Sequence, residues 1–282
     1  MEYSDKFIGF VDILGFKSLV EKSEQPGGRS LPEILALTAT LGNKKQLEFY
    51  SRHGPEICPC SAKVRKDMDI QITQISDCMI ISSEISPAGL MNLVNTCWRS
   101  AFGLLREGIM VRGYVTRGMV YHTPDQVIGP GYQAAYLNES GVSAFKQNAE
   151  ERGTPYIEVD QTICQYVANE TDECVRKMFD RLVKNDGKMT AIFPFQRLSH
   201  SYFIGGPNFD PEREKTSVRT MKAIVSELID KVRAHIDRDN PSAVSKSQHY
   251  LAALEHQLKI ADREIEFIDE LSQPLSRAIR ND

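Results

Sequence analysis

Residues 6–19 read KFIGFVDILGFKSL, an apolar run that is interrupted by one carboxylate, Asp12. Apolar residues from Phe7 to Phe16 predict a buried strand that leads into a turn at Gly15. An ionised carboxylate among apolar neighbours costs roughly several kcal/mol unless another group compensates its charge. A bound cation is the simplest compensation. The stretch therefore predicts a cation site, with a second ligand elsewhere in the chain.

The composition sets limits on the class of protein. With 282 residues and 41% hydrophobic content, the chain is long enough to bury a substantial core. A net charge of −4 gives no reason to expect nucleic acid as a partner. The N-terminus does not resemble a signal peptide, and no apolar run approaches the roughly 20 residues of a membrane span. The six cysteines are scattered, which suits reduced thiols, so we expect a cytoplasmic protein without a membrane partner.

Apolar periodicity and turn signals predict the following order of elements. After the first strand come a short helix, a helix over 32–52, a hairpin over 68–81 that carries Asp77 in its turn, and a helix that begins at Ser86-Pro87. Strands follow over 109–115 and 119–122, and the second of them forms a hairpin with a strand over 126–128. The remaining elements are a helix over 132–151, a strand over 156–159, a helix to about 184, and strands over 189–195 and 202–204.

This order predicts an α+β fold of the ferredoxin-like or palm type, a mostly antiparallel sheet with helices on one face. The hairpin would then place Asp77 beside Asp12. Beyond Pro211 the sequence is charged and helix-forming, with a break at Asn240-Pro241-Ser242. We therefore expect a catalytic-type domain over 1–208 and C-terminal helices over 209–282.

Two carboxylates at adjacent strand ends suit a hard divalent cation, and the backbone amides of 13–17 could meet phosphate groups. Such a pair is typical of phosphoryl transfer with magnesium or manganese. The alternative is structural: Asp12 would cap a helix that starts near Gly15, and Asp77 would only occupy a turn. The spacing alone leaves both interpretations open.

The stretch Phe10-Val11-Asp12-Ile13-Leu14-Gly15-Phe16 resembles the first metal-binding motif of class III nucleotide cyclases. Ile75-Ser76-Asp77 resembles their second motif, in which glycine usually precedes the aspartate. The resemblance covers about 5–205. It implies that the catalytic residues Asp12 and Asp77, with the Ile13 carbonyl, hold two divalent metal ions (Mn²⁺ or Mg²⁺), and that Leu14, Gly15 and Phe16 bind the substrate phosphates.

In that family the ribose 3′ oxygen attacks the α-phosphorus of a nucleoside triphosphate and expels pyrophosphate. The resemblance also implies a homodimer with composite active sites, in which one chain supplies the metals and the other contacts the base and the transition state.

Several positions depart from the pattern of purine cyclases. The base-reading lysine or glutamate is replaced by Thr73, and the base-reading aspartate of adenylate cyclases falls at Gln126. The asparagine that contacts the ribose falls at Gln133, and the transition-state arginine at Leu137. Leucine cannot stabilise negative charge, so the domain is either silent or takes its cation from another residue. The candidates are Arg117, Arg112 and Lys17, each of which is equally well explained as a solvated surface residue.

Arg112-Gly113 and the segment from Ala134 to Glu139 resemble the stand-alone pyrimidine cyclases of bacterial Pycsar antiphage systems. This resemblance implies a cyclic UMP or cyclic CMP signal that a separate effector protein reads. Tyr50 is the candidate residue that fills the space of a second purine ring, although it also suits an ordinary packed helix end. The missing acidic acceptor favours UTP over CTP.

Three rival interpretations remain. A polymerase-like or cyclic-dinucleotide palm domain would need a Gly-Gly-acid-acid-Phe hairpin, which the sequence around Asp77 lacks. A silent cyclase-like module would bind a nucleotide or a partner without turnover. A purine cyclase with an unusual base pocket would share the metal site.

Overall fold

The computed structural model describes residues 2–42, 48, 60–61, 68–195 and 210–279. The chain divides into two compact units, Met1–Pro194 and Phe195–Asp282. The domain boundary that we predicted between 208 and 209 lies outside the described residues, as do Tyr50 and the strand predicted over 202–204.

In the described residues, the first unit contains eight strands and six helices, in the following order. They are β1 (Ser4–Ile13), α1 (Phe16–Ser23), α2 (Leu31–Thr38), β2 (Ile70–Ile75), β3 (Cys78–Glu84), α3 (Pro87–Leu105), β4 (Val111–His122), β5 (Val127–Ile128), α4 (Pro130–Glu139), β6 (Ile157–Val159), α5 (Gln161–Ala168), α6 (Glu173–Asp180), β7 (Val183–Asn185) and β8 (Thr190–Ile192).

The sheet has the strand order β2-β3-β1-β4-β6-β8-β7, and β5 pairs with β4 as a short arm. Strand β1 lies between β3 and β4 and is antiparallel to both. The first four strands therefore form the ferredoxin-like split unit, and β6, β8 and β7 extend it beyond β4. Among the strand pairs in the described residues, β4 with β6 is the one parallel pair. The predicted α+β fold with a mostly antiparallel sheet is confirmed.

Strand β1 is buried on both faces, which requires cover on both sides of the sheet. Phe7 and Val11 point into the large core beneath α3, whereas Ile8 and Phe10 belong to a second cluster that includes Ala135 of α4. Helix α4 thus lies on the face opposite α3. The expectation that all helices lie on one face of the sheet is wrong. Both faces of β1 are apolar, so each face needs a helix to cover it.

Helix α4 lies very close to β4, where two glycines meet. A Cβ atom built on Gly118 would lie 2.9 Å from the Cα of Gly131, and one built on Gly131 would lie 2.4 Å from Cδ1 of Ile8. Real Cβ atoms do not approach other atoms this closely, so backbone meets backbone at this crossing. The missing side chains determine the distance between α4 and the sheet.

Several elements differ from the sequence prediction. Strand β4 is one continuous strand where we predicted two, and α4 ends at Glu139 rather than near 151. The predicted long helix before 184 is two helices, because Asp172 caps a new one by accepting from the Cys174 amide. The end of that predicted helix is strand β7, which pairs with β8. Helix α3 begins as predicted, with Ser86 as N-cap and a proline at the first turn.

The second unit contains two long helices, α7 (Pro211–His235) and α8 (Pro241–Ile279), which confirms the predicted helical extension with its break at Asn240-Pro241. Val218 packs with Ala261 and Ile268 across the helix pair. Lys222 forms an ion pair with Asp262. In the parts of the chain that the structure describes, no helix is both long and apolar enough to cross a membrane.

The glycine contact predicts opposite effects for two similar substitutions. We expect Gly131→Ala to lower the free energy of unfolding by about 1–3 kcal/mol, because the methyl group would overpack the crossing with β4. Gly103→Ala in α3 should raise it by about 0.5–1 kcal/mol, since its new Cβ would lie 3.8 Å from Thr40 and the helix would gain propensity. Equilibrium denaturation in urea would measure both. A stabilised Gly131→Ala variant would contradict the close packing.

Candidate metal centre

Asp12 and Asp77 lie together where β1 ends beside the hairpin of β2 and β3. Asp12 pairs with Cys78 of β3 on one side and with Arg112 of β4 on the other. The Ile13 amide donates to the Asp77 carbonyl at 3.2 Å, which fixes the end of β1 to the hairpin turn. The two carboxylates are half-buried and face the same space. Their proximity follows from the pairing of β1 with β3.

A third side chain, Cys78, completes this cluster. Carboxylate oxygens of Asp12 and Asp77 and the Cys78 Sγ all lie within 4.8 Å of one another. The Cys78 thiol donates to Asp12 Oδ1 at 3.1 Å. Burial and the neighbouring carboxylates raise the pKa of this thiol. In the absence of a cation, Cys78 is therefore a neutral donor to Asp12.

The electrostatics at Asp12 favour a cation. Burial above all, together with the charges of Asp77 and Glu139, raises the pKa of the Asp12 carboxyl from its ordinary 3.8 to about 6, against the opposing effects of the Cys78 hydrogen bond and of Arg112. The carboxylate of Asp77 in the same small space thus disfavours the ionisation of Asp12. A divalent cation between them would reverse this effect.

The hairpin turn that carries Asp77 has a strained residue. Ile75 pairs with Cys78, so Ser76 and Asp77 form a two-residue turn, and Ser76 has φ of 55°. This left-handed conformation favours glycine and costs other residues about 1–2 kcal/mol. Ser76 therefore occupies a position that glycine would fill without strain.

The turn after β1 leads directly into α1. Gly15 is the N-cap of α1, with φ of 77° and without a side-chain hydrogen bond to the first turn. The alternative that Asp12 caps this helix is therefore wrong. The first backbone amides of a helix have no carbonyl partner within it and can bind an anion. Gly15 and Phe16 of the predicted phosphate-binding segment supply such amides, whereas the Leu14 amide already donates to the Met110 carbonyl at 3.0 Å.

Each candidate replacement cation already has an acidic partner. Arg112, which lies directly across from Asp12, forms a largely buried ion pair with Glu139 of α4. Lys17 is exposed, and its Nζ lies 3.8 Å from a Glu21 oxygen. Arg112 is therefore the candidate cation that this chain places beside its own Asp12.

Arg117 lies at the other end of β1. It pairs with Phe7, five residues before Asp12, which is about 17 Å along an extended strand. Its guanidinium donates to Asp5, with 2.6 Å between Nη2 and Oδ2. Arg117 and Asp12 of one chain are thus not brought together, and a role for Arg117 at the metals would require a second copy.

The predicted base and ribose residues lie on the surface of the same unit. Thr73 is half-buried on β2, where its hydroxyl contacts His122 Nε2 at 3.0 Å. Gln126 lies in the turn between β4 and β5, and Gln133 is exposed on α4. Leu137, one helical turn after Gln133, has 68% of its surface exposed. In the single chain, Gln126, Gln133 and Leu137 face solvent, whereas Thr73 is half-buried.

The donor set fits a hard divalent cation. Carboxylate oxygens are the ligands that Mg²⁺ and Mn²⁺ prefer, and burial together with the charge of Asp77 makes the ionised form of Asp12 unfavourable without a cation. Asp12 and Asp77 would hold the metal ions, together with the Ile13 carbonyl that the family resemblance implies. These roles stay predictions.

Two groups near these positions were missed by the sequence analysis. Cys78 directly follows Asp77, and the two-residue turn could have predicted its position opposite Asp12. His122 is buried at the end of β4 between two hydroxyl groups. No sequence signal indicates it, because its partners lie on β2 and β3, strands with which β4 does not pair.

Neither a family model nor a curated protein matches the chain. Among solved structures, it is similar to the catalytic core of a rhodopsin-guanylyl cyclase with converted specificity in complex with ATPαS. The TM-score is 0.30 and the identity 13%, over 68% of this chain and 94% of that one. A likeness of this size does not establish a family, so the functional interpretation depends on the site.

The raised pKa of Asp12 predicts a pH-dependent effect of Asp12→Asn in metal-free buffer. The folded state holds this proton more tightly than the unfolded chain, so ionisation costs stability above about pH 6 and costs nothing below the unfolded value of 3.8. At pH 7.5 we expect the variant to be more stable by about 1–2 kcal/mol, allowing for partial exposure. The gain should vanish at pH 3.5, as measured by urea denaturation at both pH values.

Manganese provides the control for this experiment. At pH 7.5, Mn²⁺ should raise the unfolding temperature of the unmodified protein but not that of Asp12→Asn. If Asp12→Asn destabilised the metal-free protein at pH 7.5, the electrostatic account of the site would be wrong.

Proposed function

We propose that the chain is a class III nucleotide cyclase that converts UTP, or less readily CTP, into a 3′,5′-cyclic nucleotide and pyrophosphate. The observation that carries the proposal is the convergence of Asp12 and Asp77 beside the N-terminus of α1. Carboxylates and unpaired helix amides are the two components that metal-assisted chemistry on a phosphate chain needs.

Each component has a defined task in this reaction. Asp12 and Asp77 would hold two divalent ions, and the amides at the start of α1 would bind the phosphate oxygens. When bound, the ions would lower the pKa of the ribose hydroxyl and neutralise charge on the phosphates. The ribose 3′ oxygen would lose its proton to solvent water and bond to the α-phosphorus, while the bond from that phosphorus to the pyrophosphate oxygen breaks.

We propose that the active site is completed by a second copy of the chain. Gln133 and Leu137 project from one face of α4 into solvent, and Leu137 is among the most exposed apolar side chains of the described residues. The family resemblance assigns these positions, with Thr73 and Gln126, to the half of the site that faces the partner's metals. A homodimer would contain two such sites.

The choice of a pyrimidine is proposed from the residues at the base positions. Thr73 is uncharged where purine cyclases have lysine or glutamate, and Gln126 is uncharged where adenylate cyclases have aspartate. The proposed role of Tyr50, to fill the space of a second ring, concerns a residue outside the described parts of the chain. In the setting that the resemblance implies, the cyclic nucleotide would be an alarm against phage that a separate effector reads.

One observation favours a second candidate, a silent module that binds a nucleotide or a partner. An exposed leucine replaces the transition-state arginine, and Arg112, Arg117 and Lys17 each lie against a carboxylate. Such a domain would bind without turnover.

The first prediction of the proposal concerns turnover. Purified protein incubated with Mn²⁺ and equal amounts of ATP, GTP, CTP and UTP should form cyclic UMP, identified by mass spectrometry. Asp12→Asn and Asp77→Asn should each lower the rate by about two orders of magnitude or more, because each removes a proposed metal ligand. The matched control is Asp239→Asn, which removes an exposed carboxylate in the link between α7 and α8.

A cyclic purine product would keep the cyclase and contradict the base choice. If no triphosphate were converted, the silent module would replace the cyclase, and Asp77→Asn should then retain the biological effect of the protein.

The second prediction concerns the composite site. Asp77→Asn removes the metal half, and Gln133→Trp should block the opposing half with a bulky side chain at an exposed position. If each variant is inactive alone, their equimolar mixture should regain about one quarter of the original activity, since half of the dimers are mixed and one of their two sites is intact. The rate of cyclic nucleotide formation measures this, and a mixture without activity would place both halves in one chain.

A further inference from the structure

A buried chain of hydrogen bonds connects three strands next to Thr73. Ser82 Oγ on β3 lies 2.8 Å from Nδ1 of His122, and Thr73 Oγ1 on β2 lies 3.0 Å from Nε2 of the same ring. Ser82 is 0% exposed and His122 6%, whereas Thr73 is half-buried. The relay Ser82–His122–Thr73 therefore begins in the interior and ends at the surface.

The His122 ring is neutral in this setting. Burial and the nearby Lys6 ammonium lower the pKa of His122 to about 4, with a smaller opposing effect from Asp69. Lys6 is itself buried and forms an ion pair with Asp69 at 2.5 Å. A neutral imidazole has one N–H donor and one acceptor nitrogen. One hydroxyl of the relay must therefore donate to the ring, and the other must accept from it.

The burial of Ser82 determines which groups donate and which accept in the two hydrogen bonds of His122. Among the described residues, His122 is the hydrogen-bond partner of the Ser82 hydroxyl. If this hydroxyl accepted from Nδ1, its own hydrogen would be buried without an acceptor, at a cost of about 1–3 kcal/mol. If it donates, only an oxygen lone pair remains unused, which is tolerated more readily. Ser82 thus donates to Nδ1, and Nε2–H donates to Thr73 Oγ1.

The direction of these hydrogen bonds determines whether Thr73 offers a ligand a donor or an acceptor. Since its oxygen accepts from His122, the hydroxyl hydrogen of Thr73 is directed away from the ring and is available as a donor. Uracil and cytosine differ at the exocyclic 4-position, where uracil has an oxygen acceptor and cytosine an amine donor. A fixed donor facing this position pairs with uracil and leaves two donors opposed with cytosine.

We propose that His122 and Ser82 are positioning residues that hold Thr73 as a hydrogen-bond donor and thereby select UTP over CTP. The selection of a base rests on the proposed cyclase function, whereas the direction of the relay does not. A UTP preference of about tenfold or more in kcat/KM is expected, because a mismatched polar pair leaves a hydrogen-bonding group unpaired.

The direction is tested by NMR on protein with ¹⁵N-labelled histidine and without nucleotide. Two-bond ¹H–¹⁵N spectra distinguish the tautomers, and His122→Phe identifies the His122 signals by their loss. We expect the Nε2–H tautomer, with no titration between pH 8 and pH 5. An Nδ1–H tautomer or a charged ring at pH 7 would overturn the relay.

The role in selection is tested by a double-mutant cycle on the ratio of kcat/KM for UTP and CTP. Thr73→Val removes the donor, and His122→Phe frees the Thr73 hydroxyl to donate or accept. Each should lower the ratio toward one, and the double variant should add nothing further, because His122 acts through Thr73. The matched control is Ser83→Ala, the neighbouring buried serine whose hydroxyl has no hydrogen-bond partner in the described structure; it should keep the ratio.

The outcomes separate the inference from the function on which it rests. A His122→Phe protein that retained the UTP preference would overturn the positioning role. A protein that converts no triphosphate would overturn the cyclase and with it base selection, whereas the NMR spectrum would still decide the direction of the relay.

Discussion

The pairing of β1 with both of its neighbours is the constraint on which the rest of the structure depends. Its register with β3 and β4 sets Asp12 against Cys78 and Arg112, and the Ile13 amide fixes the Asp77 turn. A slip by one residue would exchange the two faces of β1 and turn Asp12 into the core beneath α3. The buried aromatic and aliphatic residues of β1 prevent such a slip, so the hydrophobic core and the candidate site are specified by the same ten residues.

Much of the first half of the fold could be predicted from local signals. Apolar periodicity located β1 and the hairpin, and a serine followed by proline located the start of α3. The errors have physical causes: β4 continues through its small residues because β1 pairs with it along its length, and Asp172 restarts a helix that periodicity alone would continue. The approach of Asp12 to Asp77 followed from topology, whereas the relay around His122 depends on tertiary contacts that leave no mark in the sequence.

Charge around the candidate site is arranged unevenly. Glu139 adds a third carboxylate near Asp12, and it also binds Arg112, the cation that lies closest in register. The chain thus neutralises part of the negative charge with a fixed ion pair and leaves the remainder at Asp12 and Asp77. This explains how the site can favour a cation while a guanidinium lies on the adjacent strand. It also means that Arg112 would have to share its charge between Glu139 and any phosphate.

The glycine crossing of α4 and β4 has a consequence for how this surface can change. Because the two backbones are already in contact at Gly118 and Gly131, the helix has no room to move inward, and every added atom can only push it outward. Tyr136 of the same helix packs edge-on against Phe10 of β1, with 5.3 Å between the two ring centroids. An outward shift of α4 would therefore also separate these rings. Substitutions at this crossing can therefore increase the distance between α4 and the sheet but cannot decrease it. The contact between the two backbones sets a lower limit on the distance between α4 and the sheet, so a molecule that docks on the outer face of α4 cannot push the helix closer to the sheet.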